Sequence, residues 1–144
     1  MILWRISNYA DLSGVGGVRF SARWHSKGRP IVYTAEHPAL ALLEILVNNQ
    51  RANLPNTYQL LQIEAASTRL VDDVSKLKFG WQGDENYTRA LGDKWLEDGT
   101  SPLMRVPSAI MPHAFNYLIN PEHQKSSEIQ ISKIEDHPFD IRLK

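Results

Sequence analysis

Cysteine is missing from all 144 residues. Its absence excludes disulfides, thiolate metal sites and a cysteine nucleophile together, and it suits a reducing compartment. No apolar run reaches the ~18 residues that a membrane span needs. The N-terminal stretch MILWRISNYADLS carries Arg5 inside its apolar segment and lacks a signal-peptide layout. A cytoplasmic protein with no membrane partner is expected. Net charge is lacking too, because sixteen basic side chains cancel sixteen acidic ones. A duplex-binding domain ordinarily shows a basic excess, so direct nucleic-acid binding is disfavoured. The five histidines show no metal-ligand spacing and read as surface or capping residues, so no metal is expected. Ser108 has no Gly-x-Ser-x-Gly elbow around it. Ser13 to Gly17, SGVGG, has no Lys-Ser/Thr pair behind it and reads as a flexible loop where no helix begins. Repeats, low-complexity tracts and dividing linkers are absent. The length predicts one domain, 1–144, that needs neither metal nor disulfide to fold.

What is present is a set of short strands around one apolar helix. Ile2 to Ile6 reads as an edge or core strand, Arg19 to Trp24 as an extended piece, and Ile31 to Thr34 as a β-branched strand. Pro38 suits a first helical turn, and the helix then runs to about Asn49. On a helical wheel His37, Ala41, Glu44, Asn48 and Arg51 share one narrow face while every other face is apolar, the pattern of a helix buried on most sides. Tyr58 to Glu64 alternates and reads as a strand; Arg69 to Val74 is a further candidate. Lys76 to Glu85 reads as irregular. Asn86 to Asp98 reads as an amphipathic helix with Tyr87, Leu91, Trp95 and Leu96 near one face and Gly99 past its end. Leu103 to Val106, Phe115 to Ile119 and Ile129 to Ile134 complete the strands. Two helices and six or more short strands define an α+β class, mostly antiparallel or mixed.

The oddest residue is Glu44, a lone carboxylate in Ala39 to Val47, ALALLEILV. An unpaired buried carboxylate costs several kcal/mol, so it is either paired or faces a cleft. One reading is a solvated carboxylate paired with Arg51 or capped by Asn48. The other is a charge placed to stabilise the cation that forms when a glycosidic bond breaks. Arg5, Arg19 and Arg23 fall on early strands or their ends, and the planar guanidinium fork suits phosphate. Taken singly each could be an exposed strand arginine, Arg5 least comfortably. Tyr33 is either a packing residue with its hydroxyl at the surface or a flat face for a heteroaromatic ring. Ser108 reads as a hydrogen-bonding turn residue, and Asn116 as a turn or cap residue.

These residues line up with a known family. The chain resembles the RES-domain toxins, named for Arg, Glu and Ser, of bacterial RES–Xre toxin–antitoxin pairs. The resemblance is carried by Leu3-Trp4-Arg5-Ile6, Arg23-Trp24 with Gly28 and Pro30, Val32-Tyr33-Thr34-Ala35, Ala41-Leu42-Leu43-Glu44, Val106-Pro107-Ser108, and Asn116-Tyr117-Leu118 with Asn120-Pro121. Two departures are His25, where asparagine is more frequent, and Asn48, where histidine is expected. The resemblance implies an ADP-ribosyltransferase-like fold with two small mixed or antiparallel sheets and an NAD cleft between them. It implies that NAD is the substrate, with no other cofactor, and that the nicotinamide–ribose bond is cleaved, depleting NAD and arresting growth. Carried across, Arg23, Glu44 and Ser108 are the catalytic residues; Arg5, Arg23, Tyr33 and Asn116 bind NAD, with Tyr33 stacked on nicotinamide. The expected partner is an Xre-type antitoxin that occludes the active site, in a complex that allows a toxin homodimer. Two rival readings stand beside this one: transfer of ADP-ribose to a protein, and a non-catalytic nucleotide- or RNA-binding module.

Overall fold

The computed structural model describes residues 1–66, 71–74 and 76–144, with the Arg51 side chain left aside. In chain order the elements are β1 (Ile2–Ile6), α1 (Val15–Arg19), β2 (Val32–Ala35), α2 (Pro38–Asn48), β3 (Thr57–Ala65), β4 (Val71–Asp73), α3 (Glu85–Asp98), β5 (Leu103–Pro107), β6 (Phe115–Ile119) and β7 (Ile129–Pro138). This is the α+β class expected. The strand expected at Arg69 to Val74 is β4 in its described part, and residues 69–70 lie outside the described residues.

The strands form one sheet in the order β4-β5-β6-β2-β1-β3-β7. All neighbours are antiparallel except β4 and β5. The two separate sheets expected are thus halves of a single sheet. Five register pairs join β1 to β3, whereas β1 and β2 share one, Trp4 opposite Ala35. Continued pairing would set Arg5 against Thr34 and Ile6 against Tyr33. The strands part there instead, and those four residues line the walls of a cleft. β1 is therefore an interior strand at the seam between the halves.

Each face of the sheet has its own core. Leu3, Val32, Leu61, Ile63, Leu103 and Ile119 are buried on one side. On the other, α3 and the segment before β2 pack Trp24, Trp95, Met104, Val106 and Leu118 together, while α2 covers Ala35 with Leu40 and Ala41. α2 is less enclosed than its sequence suggests. Its buried residues are Leu40 and Ala41, and Val47 is 53 % exposed. Leu42 to Leu46 are only partly buried, so an all-round apolar helix here does not mean an all-round burial. Its start matches expectation: Pro38 opens it, and the His37 ring accepts a hydrogen bond from Ala39 N–H.

α3 begins at Asp84, whose carboxylate accepts from Tyr87 N–H, and ends at Gly99, with φ 59°. Its buried stripe is Thr88, Gly92 and Trp95, rotated by about one residue from the stripe of large side chains expected. Two expectations fail before β2. The glycine-rich stretch does begin a helix, α1, so Arg19 ends a helix rather than opening a strand. Ala22 and His25 form an isolated bridge. Gly17 serves close packing there: a Cβ on it would lie 2.6 Å from Ile31 Cγ2 and 2.8 Å from Arg29 O.

Candidate functional site

The cleft at the parting of β1 and β2 has a volume of about 570 Å³, within the range of small-molecule sites. Arg5, Arg23, Tyr33, Glu44 and Asn116 line it, so five of the six predicted site residues meet there. The sixth, Ser108, is 7 % exposed and acts behind Glu44. Arg19 does not join them; it lines a second cleft that shares Arg5 with the first.

Glu44 reaches the cleft from the end of the second turn of α2. Asn116, on β6, donates its Nδ2–H to Glu44 Oε1 at 2.9 Å. Ser108 Oγ stands 3.5 Å from the same oxygen, a long contact. The Ser108 oxygen also accepts from Ile110 N–H at 3.2 Å and Met111 N–H at 3.1 Å. Two backbone donors thus fix the Ser108 oxygen in place while its hydroxyl is directed toward Glu44. Both partners are donors toward the Glu44 carboxylate. The suggested cap from Asn48 is not among the described hydrogen bonds, and a pairing with the Arg51 side chain lies outside the described residues.

Arg23 is held by α3 and by the turn before it. Its Nη1–H donates to Gln82 O at 2.8 Å, and its side chain is 27 % exposed. The backbone around it is clamped residue by residue. Thr88 Oγ1 donates to Arg23 O at 2.5 Å. Asp93 takes both the N–H and the hydroxyl of Ser26 at 2.8 and 2.6 Å. The Trp24 N–H donates to Tyr33 Oη at 3.1 Å. Arg23 is therefore a fixed cation and not a solvated strand arginine.

Tyr33 lines the cleft, yet its hydroxyl is not at the surface. It accepts from Trp24 N–H and sits 2.8 Å from His25 Nδ1, while His25 Nε2 lies 3.0 Å from Gly17 O. One tautomer satisfies every group: Tyr33 O–H donates to Nδ1, and Nε2–H donates to the Gly17 carbonyl. Burial pushes the Tyr33 pKa upward, so the hydroxyl stays protonated and able to donate. His25, 1 % exposed, is thus a core residue, contrary to the surface or capping role expected of all five histidines. Its place in the network fits the departure noted after Arg23-Trp24. Tyr33→Phe leaves the Trp24 N–H and His25 Nδ1 without a partner. We expect a loss of about 1–3 kcal/mol in urea denaturation; an unchanged midpoint would mean the network is not formed.

Arg5 stands where the sheet parts. Burial lowers its pKa, opposed by the charge of Asp11, and it remains a cation. Asp11 is the charge that opposes its burial, and no carboxylate among the described residues lies within ion-pair distance of the guanidinium.

Sequence reasoning missed Arg89 and Glu85, which also line the cleft. They form an i,i+4 pair at 2.8 Å, a spacing that reads as a solvated helix face. What sets Arg89 apart is its Nε–H bond to Ala22 O at 2.9 Å, across 67 residues, and nothing local signals it.

A largely antiparallel sheet that parts at its middle, with guanidiniums and a carboxylate lining the parting, defines an α+β protein with one cleft at its seam. The model of the RES domain matches residues 2–142. "Toxin Res" of Pseudomonas putida is 47% identical over 145 residues, covering 99% of each chain. "Prs ADP-ribosylating toxin" of a Sphingobium species is 33% identical over 152 residues, covering 97% of this chain and 94% of its own. Among solved structures, the crystal structure of the M. tuberculosis MbcT–MbcA toxin–antitoxin complex superposes with a TM-score of 0.76 at 19% identity, over 95% of this chain and 84% of that one. The chain belongs to the RES-domain family, and it is a toxin of the kind found in toxin–antitoxin pairs.

Proposed function

We propose that this toxin consumes NAD by breaking the bond between nicotinamide and ribose, with an Xre-type antitoxin that occludes the cleft as its partner. The observation that carries the reading is Glu44: one carboxylate, braced by Asn116 and Ser108, in a cleft shared with Arg5, Arg23 and Arg89. The guanidiniums suit the pyrophosphate of a dinucleotide. The Tyr33 face suits the nicotinamide ring. As the C1′–N bond breaks, its electron pair leaves with the nicotinamide nitrogen and neutralises it. Positive charge develops on the ribose, and Glu44 is the group placed to stabilise it. Its charge is held in position before the reaction, so no reorganisation is needed. Ser108 and Asn116 orient the carboxylate. Val47, exposed at the cleft wall, gives a protein partner an apolar foothold beside the cations.

A second reading shares the first chemical step. The Sphingobium relative is named for ADP-ribosylating Prs, and a protein nucleophile in place of water would yield the same nicotinamide. Purified protein incubated with NAD, with and without inorganic phosphate, is expected to release nicotinamide. Label on the adenylate half tells the outcomes apart: free ADP-ribose or its phosphate marks cleavage, and a labelled protein band in cell extract marks transfer. No nicotinamide under any condition would overturn both.

A further inference from the structure

Glu85 lies between two guanidiniums at the lip of the cleft. Arg89 Nη2 donates to its Oε2 at 2.8 Å, and Arg23 Nη2 stands 3.8 Å from its Oε1. Neither arginine depends on that carboxylate for its position. Arg23 Nη1 is anchored on the Gln82 carbonyl and Arg89 Nε on the Ala22 carbonyl. Each keeps further N–H donors that the anchors do not use. All three side chains line the same cleft. The carboxylate thus presents one oxygen to each of two arginines that backbone carbonyls already hold in place. A phosphate-bridged ligand would present its oxygens in the same manner. The Glu85 side chain is 48 % exposed, against 27 % and 29 % for Arg23 and Arg89. It can therefore turn into water when an anion arrives, without leaving a buried charge behind.

We propose that Glu85 is a built-in counterion standing where the substrate's pyrophosphate binds, and that Arg89 is a second pyrophosphate-binding residue beside Arg23. This rests on the dinucleotide reading above and adds to it. An incoming pyrophosphate must displace the carboxylate, so Glu85 weakens binding while keeping the two guanidiniums from repelling one another in the empty cleft. Affinity for the substrate is set by this exchange of one anion for another, and it falls as salt rises.

The test is binding without turnover, with inorganic pyrophosphate and ADP-ribose titrated calorimetrically into wild type, Glu85→Gln and Arg89→Gln. Glu85→Gln is expected to tighten both ligands severalfold, and Arg89→Gln to weaken both by about tenfold or more. With NAD, Glu85→Gln lowers KM and leaves kcat within about threefold. A pair that served only the helix would lower the unfolding midpoint in both variants and shift neither ligand. Weaker pyrophosphate binding in Glu85→Gln, or unchanged binding in a folded Arg89→Gln, overturns the proposal. Arg105→Gln, which removes the partner of Asp73 outside the cleft, serves as control. The two readings fail separately. Pyrophosphate that responds to both variants in a protein that ignores NAD sinks the dinucleotide reading and keeps the clamp; NAD cleavage indifferent to both variants does the reverse.

Discussion

Glu44→Gln is expected to cut nicotinamide release from NAD by about 10²–10³-fold while leaving NAD affinity within about threefold. The amide is nearly isosteric with the carboxylate. Its oxygen can still accept from Asn116 Nδ2 and from Ser108, so the brace survives. What disappears is the negative charge, and it matters chiefly when the ribose becomes cationic. A ground-state contact would give the opposite division, with KM raised and kcat kept. Turnover by single-turnover quench and affinity by calorimetry separate the two. A variant that cleaves NAD at the native rate removes Glu44 from the mechanism.

The second large effect is structural. A Cβ at Gly92 would lie 1.6 Å from Trp24 O and 2.7 Å from Trp24 C. The obstacle is backbone, which cannot rotate away as a side chain can. Gly92→Ala must therefore push α3 off the Trp24 segment. That segment is also held by Thr88 on Arg23 O and by Asp93 on Ser26, so the displacement strains several contacts at once. We expect a loss of at least ~3 kcal/mol in urea denaturation, a large share of the ~5–15 kcal/mol typical of a whole domain. In the fraction that folds, Arg23 is displaced and NAD binding weakens. A native midpoint would show that helix and segment do not approach so closely. Glycine ordinarily weakens a helix interior by about 1 kcal/mol relative to alanine, so the sign of this change is a direct test of the packing.

How much of this the sequence discloses depends on how local each cause is. Glu44 is conspicuous because its neighbours in α2 are all apolar, and a carboxylate there needs a reason. The cap at His37, the ends of α3 and most strands also follow from short-range patterns. The brace of Glu44 does not, since Ser108 and Asn116 come from 64 and 72 residues away; the family resemblance supplied them. α1 is missed because glycine-rich sequence ordinarily signals a loop, and here Gly17 is required by contact with Ile31 and Arg29. His25 is missed because a histidine beside Ser26 and Lys27 reads as surface, whereas Tyr33 and Gly17 supply both its hydrogen bonds inside the core. Arg89 is hidden by its own i,i+4 partner. The exposed side of α2 is invisible for another reason, because a sequence shows what a helix could bury and not what the rest of the chain provides to cover it.

The seam between β1 and β2 has a consequence for how the molecule comes into being. One half of the sheet, β1-β3-β7, gathers strands from both chain ends and the middle; the other, β4-β5-β6-β2, gathers the stretches between. The halves are interleaved along the polypeptide, so no single cut releases one of them whole. Most strand neighbours are distant in sequence, which makes assembly slow relative to a helical protein of this size. A nascent chain holds Arg23, Tyr33 and Glu44 early, but Asn116 and Ser108 emerge late and β7 later still. The cleft draws its walls from Trp4 through Asn116, so a chain that stops short of β6 carries its cations and Glu44 without the assembled site.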